Sequence, residues 1–116
     1  MGYRQYMPNS RTINQEPLVT IGAGDNIYLN SFLMRNYFVG IKRVILLFDD
    51  VSKRFAIKPA KENDKGAYTL GFSSKEYSTG FIAARGFVKL PLVQKFKGRR
   101  LKAAWDEREK LLEIKL

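Results

Sequence analysis

The sequence predicts a mostly β chain with short helices, an α+β protein assembled from two copies of one unit that share a core. Three observations carry this. A hairpin pattern at Leu46 to Pro59 is echoed at Ala103 to Leu116: shifted by 57 positions, Asp49, Lys53, Ile57 and Lys58 fall on Asp106, Lys110, Ile114 and Lys115. Phe48 falls on Trp105, Asp50 on Glu107, Phe55 on Leu112, and Lys42-Arg43-Val44 on Arg99-Arg100-Leu101. A shared period of this kind decides architecture before any local assignment does. Short runs rich in β-branched and aromatic residues also alternate with clusters of Gly, Asn, Asp and Ser, the pattern of strands and tight turns. Finally, a chain of 116 residues buries roughly 65% of its unfolded surface, enough for one core and not for two. The two copies are therefore expected to pack together or interleave.

Residues 1–15 show no hydrophobic period and read as a flexible N-terminal tail. Arg4 and Arg11 in it could touch a phosphate backbone, although a plain disordered terminus is the simpler reading. Residues 16–116 are expected to form a single domain of two repeats, about 17–60 and 67–116. Leu18 to Ile21 is a β-rich run, Gly22-Ala23-Gly24-Asp25-Asn26 is a turn dense in residues that tolerate positive φ, and Ile27 to Leu29 resumes the strand. A phosphate cradle at Gly22–Gly24 lacks both the Lys-Ser/Thr of a P-loop and the full dinucleotide fingerprint. Asn30 or Ser31 suits a helix N-cap. Phe32 to Phe38 then makes a short helix with Phe32, Leu33, Asn36 and Tyr37 on one face, Arg35 off it and Gly40 as its stop. Val44 to Phe48 is continuously apolar and predicts a strand buried on both faces. Asp49 to Lys53 turns the chain, and Arg54 to Lys58 returns with Phe55 and Ile57 inward until Pro59 ends the strand.

Ala60 to Gly66 is a polar connector between the halves. Ala67 to Phe72 starts the second half as a strand, Ser73 to Gly80 is a longer polar turn, and Phe81-Ile82 returns. Ala83 to Leu90 predicts a weak helix, weakened by Gly86, with Pro91 blocking its continuation. From Arg99 to Trp105 a strand points Leu101, Ala103 and Trp105 one way and Arg100, Lys102 and Ala104 the other. The closing strand turns Leu112, Ile114 and Leu116 inward. Phe48 and Trp105 read as matched core anchors. Each half is thus strand, turn, strand, short helix, strand, turn, strand.

Composition narrows function. The chain has no cysteine and no histidine, which removes the thiolate nucleophile, cysteine-based metal sites and the commonest general base. The carboxylate pairs Asp49-Asp50 and Asp106-Glu107 could suggest metal or acid–base chemistry, but each sits where a hairpin turns, which explains it without chemistry. No enzyme activity, cofactor or metal is expected. No apolar run nears the ~18 residues of a membrane span, so a cytoplasmic or otherwise intracellular protein is expected, nucleoid-associated or viral. Net charge is +10, from 21 Lys and Arg against 11 Asp and Glu. Residues 1–64 contribute +3 and residues 65–116 contribute +7, and from Arg85 to Lys102 there are seven bases and no acid. Such an excess favours a polyanionic partner, nucleic acid first.

The element order over Leu18 to Pro59 resembles the AbrB/MazE/SpoVT swapped-hairpin family of small DNA-binding proteins, and residues 67–116 match that order more loosely. The matching parts are Val19-Thr20-Ile21, the turn Gly22 to Asn26, Ile27-Tyr28-Leu29, Asn30-Ser31, the helix Phe32 to Phe38 and the hairpin Val44 to Lys58. The chain departs from the family where its usual Gly-Arg turn is Asp25-Asn26 and its usual Pro is Asn30 or Ala84. The resemblance implies a pseudo-twofold barrel of two interleaved β-β-α-β-β units, here duplicated within one chain, and a small transcriptional regulator binding duplex DNA. It implies helix bases at Arg35 and, by the repeat, Lys89.

The nucleic-acid-binding candidates are therefore Arg35, Lys42, Arg43, Lys75, Arg85, Lys89, Lys95, Lys97, Arg99, Arg100 and Lys102. Arg35, Lys75, Arg85 and Lys89 would share one face, and Lys95, Lys97, Arg99, Arg100 and Lys102 would extend it or form a second patch. Strand-borne Lys and Arg also serve as routine edge protection. Tyr37, Tyr68, Phe72 and Tyr77 are candidates for base stacking. The alternatives to duplex DNA are RNA binding, or a structural protein of a virus or mobile element whose basic face meets an acidic protein. A homodimer is also possible.

Overall fold

The computed structural model describes residues 16–61, 63–72 and 79–116. The elements are β1 (Leu18–Ile21), β2 (Asn26–Leu29), helix α1 (Ser31–Asn36), β3 (Arg43–Asp49), β4 (Arg54–Ala60), β5 (Tyr68–Phe72), β6 (Gly80–Ala83), the one-turn helices α2 (Arg85–Val88) and α3 (Pro91–Gln94), β7 (Arg100–Asp106) and β8 (Leu111–Lys115). The eight strands close into one antiparallel barrel in the order β1-β2-β6-β5-β3-β4-β8-β7. β3 and β7 begin and end 57 positions apart. The tail at residues 1–15 lies outside the described residues.

Each half supplies two hairpins, and no hairpin lies beside the other hairpin of its own half. β1–β2 is flanked by β7 and β6, and β3–β4 by β5 and β8. The registers are explicit: Thr20 faces Arg100, Ile27 faces Ile82, Val44 faces Tyr68, and Phe55 faces Ile114. Closing the barrel removes every free strand edge, which a half alone would expose. An eight-stranded barrel has an interior just wide enough for side chains to fill. Here Val19, Ile21, Ile27, Leu29, Val44, Ile57, Ile82, Leu112 and Ile114 are fully buried and fill it.

The helices add to that core rather than to the surface. Asn30 caps α1, its side-chain oxygen accepting from the Leu33 amide at 3.2 Å. Leu33 and Met34 then enter the apolar cluster together with Phe38. Met34 lies so close over Gly80 that a Cβ there would meet its sulfur at 2.5 Å, so glycine is the residue that fits. Phe87 and Val88 from α2 and Val93 from α3 join the same cluster.

Three expectations from the sequence change. Val44 to Phe48 is not buried on both faces, since Leu47 and Phe48 are 43% and 36% exposed. The barrel is a single layer, so β3 has only one inside. Phe48 is accordingly not a core anchor: it rests edge-on against Phe87 at 6.1 Å, while its counterpart Trp105, half-buried, stacks on Tyr37 at 4.6 Å. Nor does Pro59 end β4; it pairs with Val44 and the strand runs to Ala60. Pro91 opens α3 at its first turn, where a missing amide proton costs nothing.

Candidate nucleic-acid interface

Among the nominated bases, those from Arg85 to Lys102 are brought together by the way the chain returns to β1. After α3 the backbone turns at Gly98, which has φ +79°. The Gly98 amide donates to the Ile21 carbonyl at 2.6 Å, and the Ile21 amide donates to the Arg99 carbonyl at 3.1 Å. This stitches residues 97–99 alongside the end of β1. Half-buried Phe96 packs on the core from the same segment. Lys95, Arg99, Arg100 and Lys102 are left exposed. On β7 the alternation is clean: Arg100 and Lys102 point out while Leu101 and Ala103 pack against the core.

Asp25 ties α2 to this strip. It occupies the β1–β2 turn at φ 65°, a left-handed position that aspartate tolerates better than most residues. Its carboxylate lies 2.8 Å from the Lys97 ammonium and 3.6 Å from the Arg85 guanidinium. The Lys97 ammonium holds the Asp25 carboxyl below the ordinary aspartate value, against a smaller desolvation effect and with lesser pulls from Lys89 and Arg85. Arg85 at the start of α2 and Lys97 beyond α3 thus pair with one acid, and Lys89 just after α2 acts on it through its charge. Among the described residues no carboxylate pairs with Arg99, Arg100 or Lys102.

The basic strip continues onto β8. Ala103 pairs with Ile114, and one step further along that register sets Lys102 beside exposed Lys115, which itself pairs with Arg54. Arg54 is engaged by Glu113 at 2.9 Å and by Asp49 at 3.7 Å. Lys115 was legible as a basic residue but not as part of this surface, because only the β7–β8 register places it there.

The other nominated residues stand elsewhere. Arg35 is exposed on α1. α1 leaves β2 after Leu29, which pairs with Gly80, whereas α2 leaves β6 after Ala83, which pairs with Asn26. The two helices therefore start at opposite ends of one antiparallel ladder, about 10 Å apart at ~3.3 Å per residue. Arg43 opens β3, where it pairs with Thr69 and donates to the Ala67 carbonyl at 3.0 Å. Lys42 precedes it and accepts the Leu70 amide on its carbonyl at 2.8 Å. In the barrel order β3 is three strands from β7 through β4 and β8. Lys75 lies outside the described residues.

Of the aromatic candidates, Tyr37 has one ring face covered by Trp105 at an interplanar angle of 9°, and Tyr68 packs on the core. Tyr77 and the Phe72 side chain lie outside the described residues. The paired carboxylates serve the turns. Asp49 accepts the Val51 and Ser52 amides at 3.1 and 3.2 Å and the Ser52 hydroxyl at 2.6 Å, and the Ser52 contacts hold its carboxyl below the ordinary value. Asp106 accepts the Arg108 and Glu109 amides at 3.0 and 3.1 Å. Among the described residues no group of three or more carboxylates gathers to hold a metal ion, and no helix is long and apolar enough to cross a membrane.

Compared with protein-family models, with curated proteins and with solved structures, the chain matches none.

Proposed function

We propose that this protein binds nucleic acid, with duplex DNA as its target, through the strip formed by Arg85, Lys89, Lys95, Lys97, Arg99, Arg100 and Lys102, extended by Lys115. The observation that carries the reading is the pairing state of the strip. Arg99, Arg100 and Lys102 stand exposed beside one another with no carboxylate partner among the described residues, and Asp25 is the acid set among the rest. Lysine and arginine arrayed in this way displace condensed counterions from a phosphate backbone, and that release supplies sequence-independent affinity.

The scaffold under this reading is a pseudo-twofold barrel of two interleaved β-β-α-β-β units, as in the AbrB-like family. Exchanging β1–β4 with β5–β8 leaves the full set of barrel neighbours unchanged, and that invariance supports it. The exchange axis would run through the pairs Ile27–Ile82 and Ala56–Glu113. A role as a small regulator follows from the same resemblance.

The test is duplex binding as a function of salt, followed by fluorescence anisotropy. Engagement of about four phosphates gives a slope of log K against log salt of roughly −3.6. A flat salt dependence, or no retention of duplex at low salt, contradicts the proposal.

A further inference from the structure

The outward face of the barrel next to the basic strip carries two aromatic rings that the charge pattern alone does not explain. Tyr28 on β2 and Phe81 on β6 are direct cross-strand partners. Their neighbours Ile27 and Ile82 are fully buried, so by strand alternation both rings point outward. Both are only half-buried.

Each ring lies across a glycine. A Cβ on Gly22 would meet Tyr28 Cε2 at 2.5 Å, and a Cβ on Gly71 would meet Phe81 Cε1 at 2.7 Å and Cζ at 2.8 Å. The rings therefore lie close over bare backbone, where any side chain on Gly22 or Gly71 would have to displace them. The Tyr28 hydroxyl accepts from the Asn26 side-chain amide at 3.4 Å, which helps fix that ring. No core requirement calls for an aromatic at either outward position.

The same row continues into the basic strip. Phe81 pairs with Tyr28, Tyr28 with Thr20, and Thr20 with Arg100. The adjoining step places Lys102 against Leu18. Between them runs a shallow recess of about 200 Å³ whose lining includes Tyr28, Asn30, Thr79 and Arg100. Aromatic rings in a row with unpaired cations two or three strands away are what a flexible single strand needs: bases stack on the rings while the phosphates follow the cations. A duplex keeps its bases stacked inside and gains nothing from the rings.

We infer that the Tyr28–Phe81 face is a base-stacking platform for single-stranded nucleic acid, its phosphates led by Arg100 and Lys102. This rests on the nucleic-acid reading above, because Arg100 and Lys102 belong to both surfaces. The occupant is identified by chemistry: unpaired bases joined by a phosphate backbone.

The experiment compares three fluorescent probes by anisotropy on the full chain: an oligothymidine strand, an abasic strand of the same length and charge, and a duplex. The platform predicts that the base-bearing strand binds roughly tenfold or more tighter than the abasic one. It also predicts that Tyr28→Leu and Phe81→Leu each weaken strand binding about fivefold or more while leaving the duplex within about twofold. The abasic comparison uses the wild-type chain, so it does not depend on how the variants fold. Equal affinity for the two strands, or equal loss of strand and duplex binding in the variants, overturns the platform. Duplex binding without strand binding overturns the platform alone, and failure to bind any probe overturns the nucleic-acid reading with it.

Discussion

Lys53 and Lys110, 57 positions apart, adopt the same left-handed backbone, at φ 55° and 56°. Each closes a hairpin turn whose aspartate, Asp49 or Asp106, accepts the amides two and three residues ahead. A side chain with a Cβ is strained in this region, and glycine is not. Lys53→Gly and Lys110→Gly are each expected to stabilise the protein by about 0.5–1 kcal/mol, net of the greater entropy glycine brings to the unfolded chain. Lys53→Val should destabilise by at least as much. Chemical denaturation checks the signs, and destabilisation by both glycines would contradict the turn geometry.

Two further glycines are expected to respond in opposite directions. Gly86 lies in α2, and a Cβ added there would meet nothing within 4 Å. Gly86→Ala should therefore stabilise by about 0.5–1 kcal/mol through helix propensity. Gly80 is packed under Met34 and Leu70, whose nearest atoms would lie 2.5 and 3.2 Å from a Cβ, and Gly80→Ala should cost about 1–2 kcal/mol by overpacking. Thermal melts of the two variants give the comparison directly.

Asp25 pairs with Lys97 and Arg85 and so competes with an external anion for them. Asp25→Asn keeps a residue that tolerates φ 65° and removes the charge. Nucleic-acid affinity should rise, by roughly threefold to tenfold at low salt, because two bases are released. The stability change has a pH signature. The Asp25 carboxyl is held below its ordinary value in the folded protein, so its contribution is present above the unfolded value of about 3.9 and is lost as pH falls through the folded one. The variant should lose that part of the acid dependence, seen as a shallower drop in melting temperature below about pH 4. Unchanged affinity together with an unchanged acid profile would remove Asp25 from the account.

The interleaving makes a prediction about fragments. Every hairpin has only hairpins of the other half as its outside neighbours, so neither half can close a core. A chain cut within the polar connector at residues 61–66 should leave two fragments that are unfolded apart and recover strand signal when mixed, followed by circular dichroism. An N-terminal half that folds as a monomer on its own would contradict the arrangement.

Much of the fold was legible because strands of a single-layer barrel obey period two. Phe55 and Ile57 against Arg54 and Lys58, or Leu101 and Ala103 against Arg100 and Lys102, could be sorted into inside and outside by alternation alone. The echo of Asp49 at Asp106 was legible because each turn uses its aspartate to accept the amides that follow, whereas Lys53 and Lys110 recur at a position that glycine would fit better. What the sequence leaves open depends on which strands pair. Val44 to Phe48 gives the same apolar run whether a second layer covers it or not, so the exposure of Leu47 and Phe48 could not be read from it. The link between Asp25 and Lys97 spans 72 positions and follows only from the return of residues 97–99 to β1. Tyr28 and Phe81 became partners through the β2–β6 register, for which nothing local in either strand is a signal.

Binding should depend on where the charge sits and not on its total. Two triple variants of equal charge loss separate these: Arg99→Ala/Arg100→Ala/Lys102→Ala on the strip, and Arg35→Ala/Lys42→Ala/Lys61→Ala away from it. The measurement is duplex affinity by anisotropy at fixed low salt. The expected result is a loss of roughly thirtyfold or more for the strip variant and of about threefold or less for the other. Equal losses in the two would contradict it.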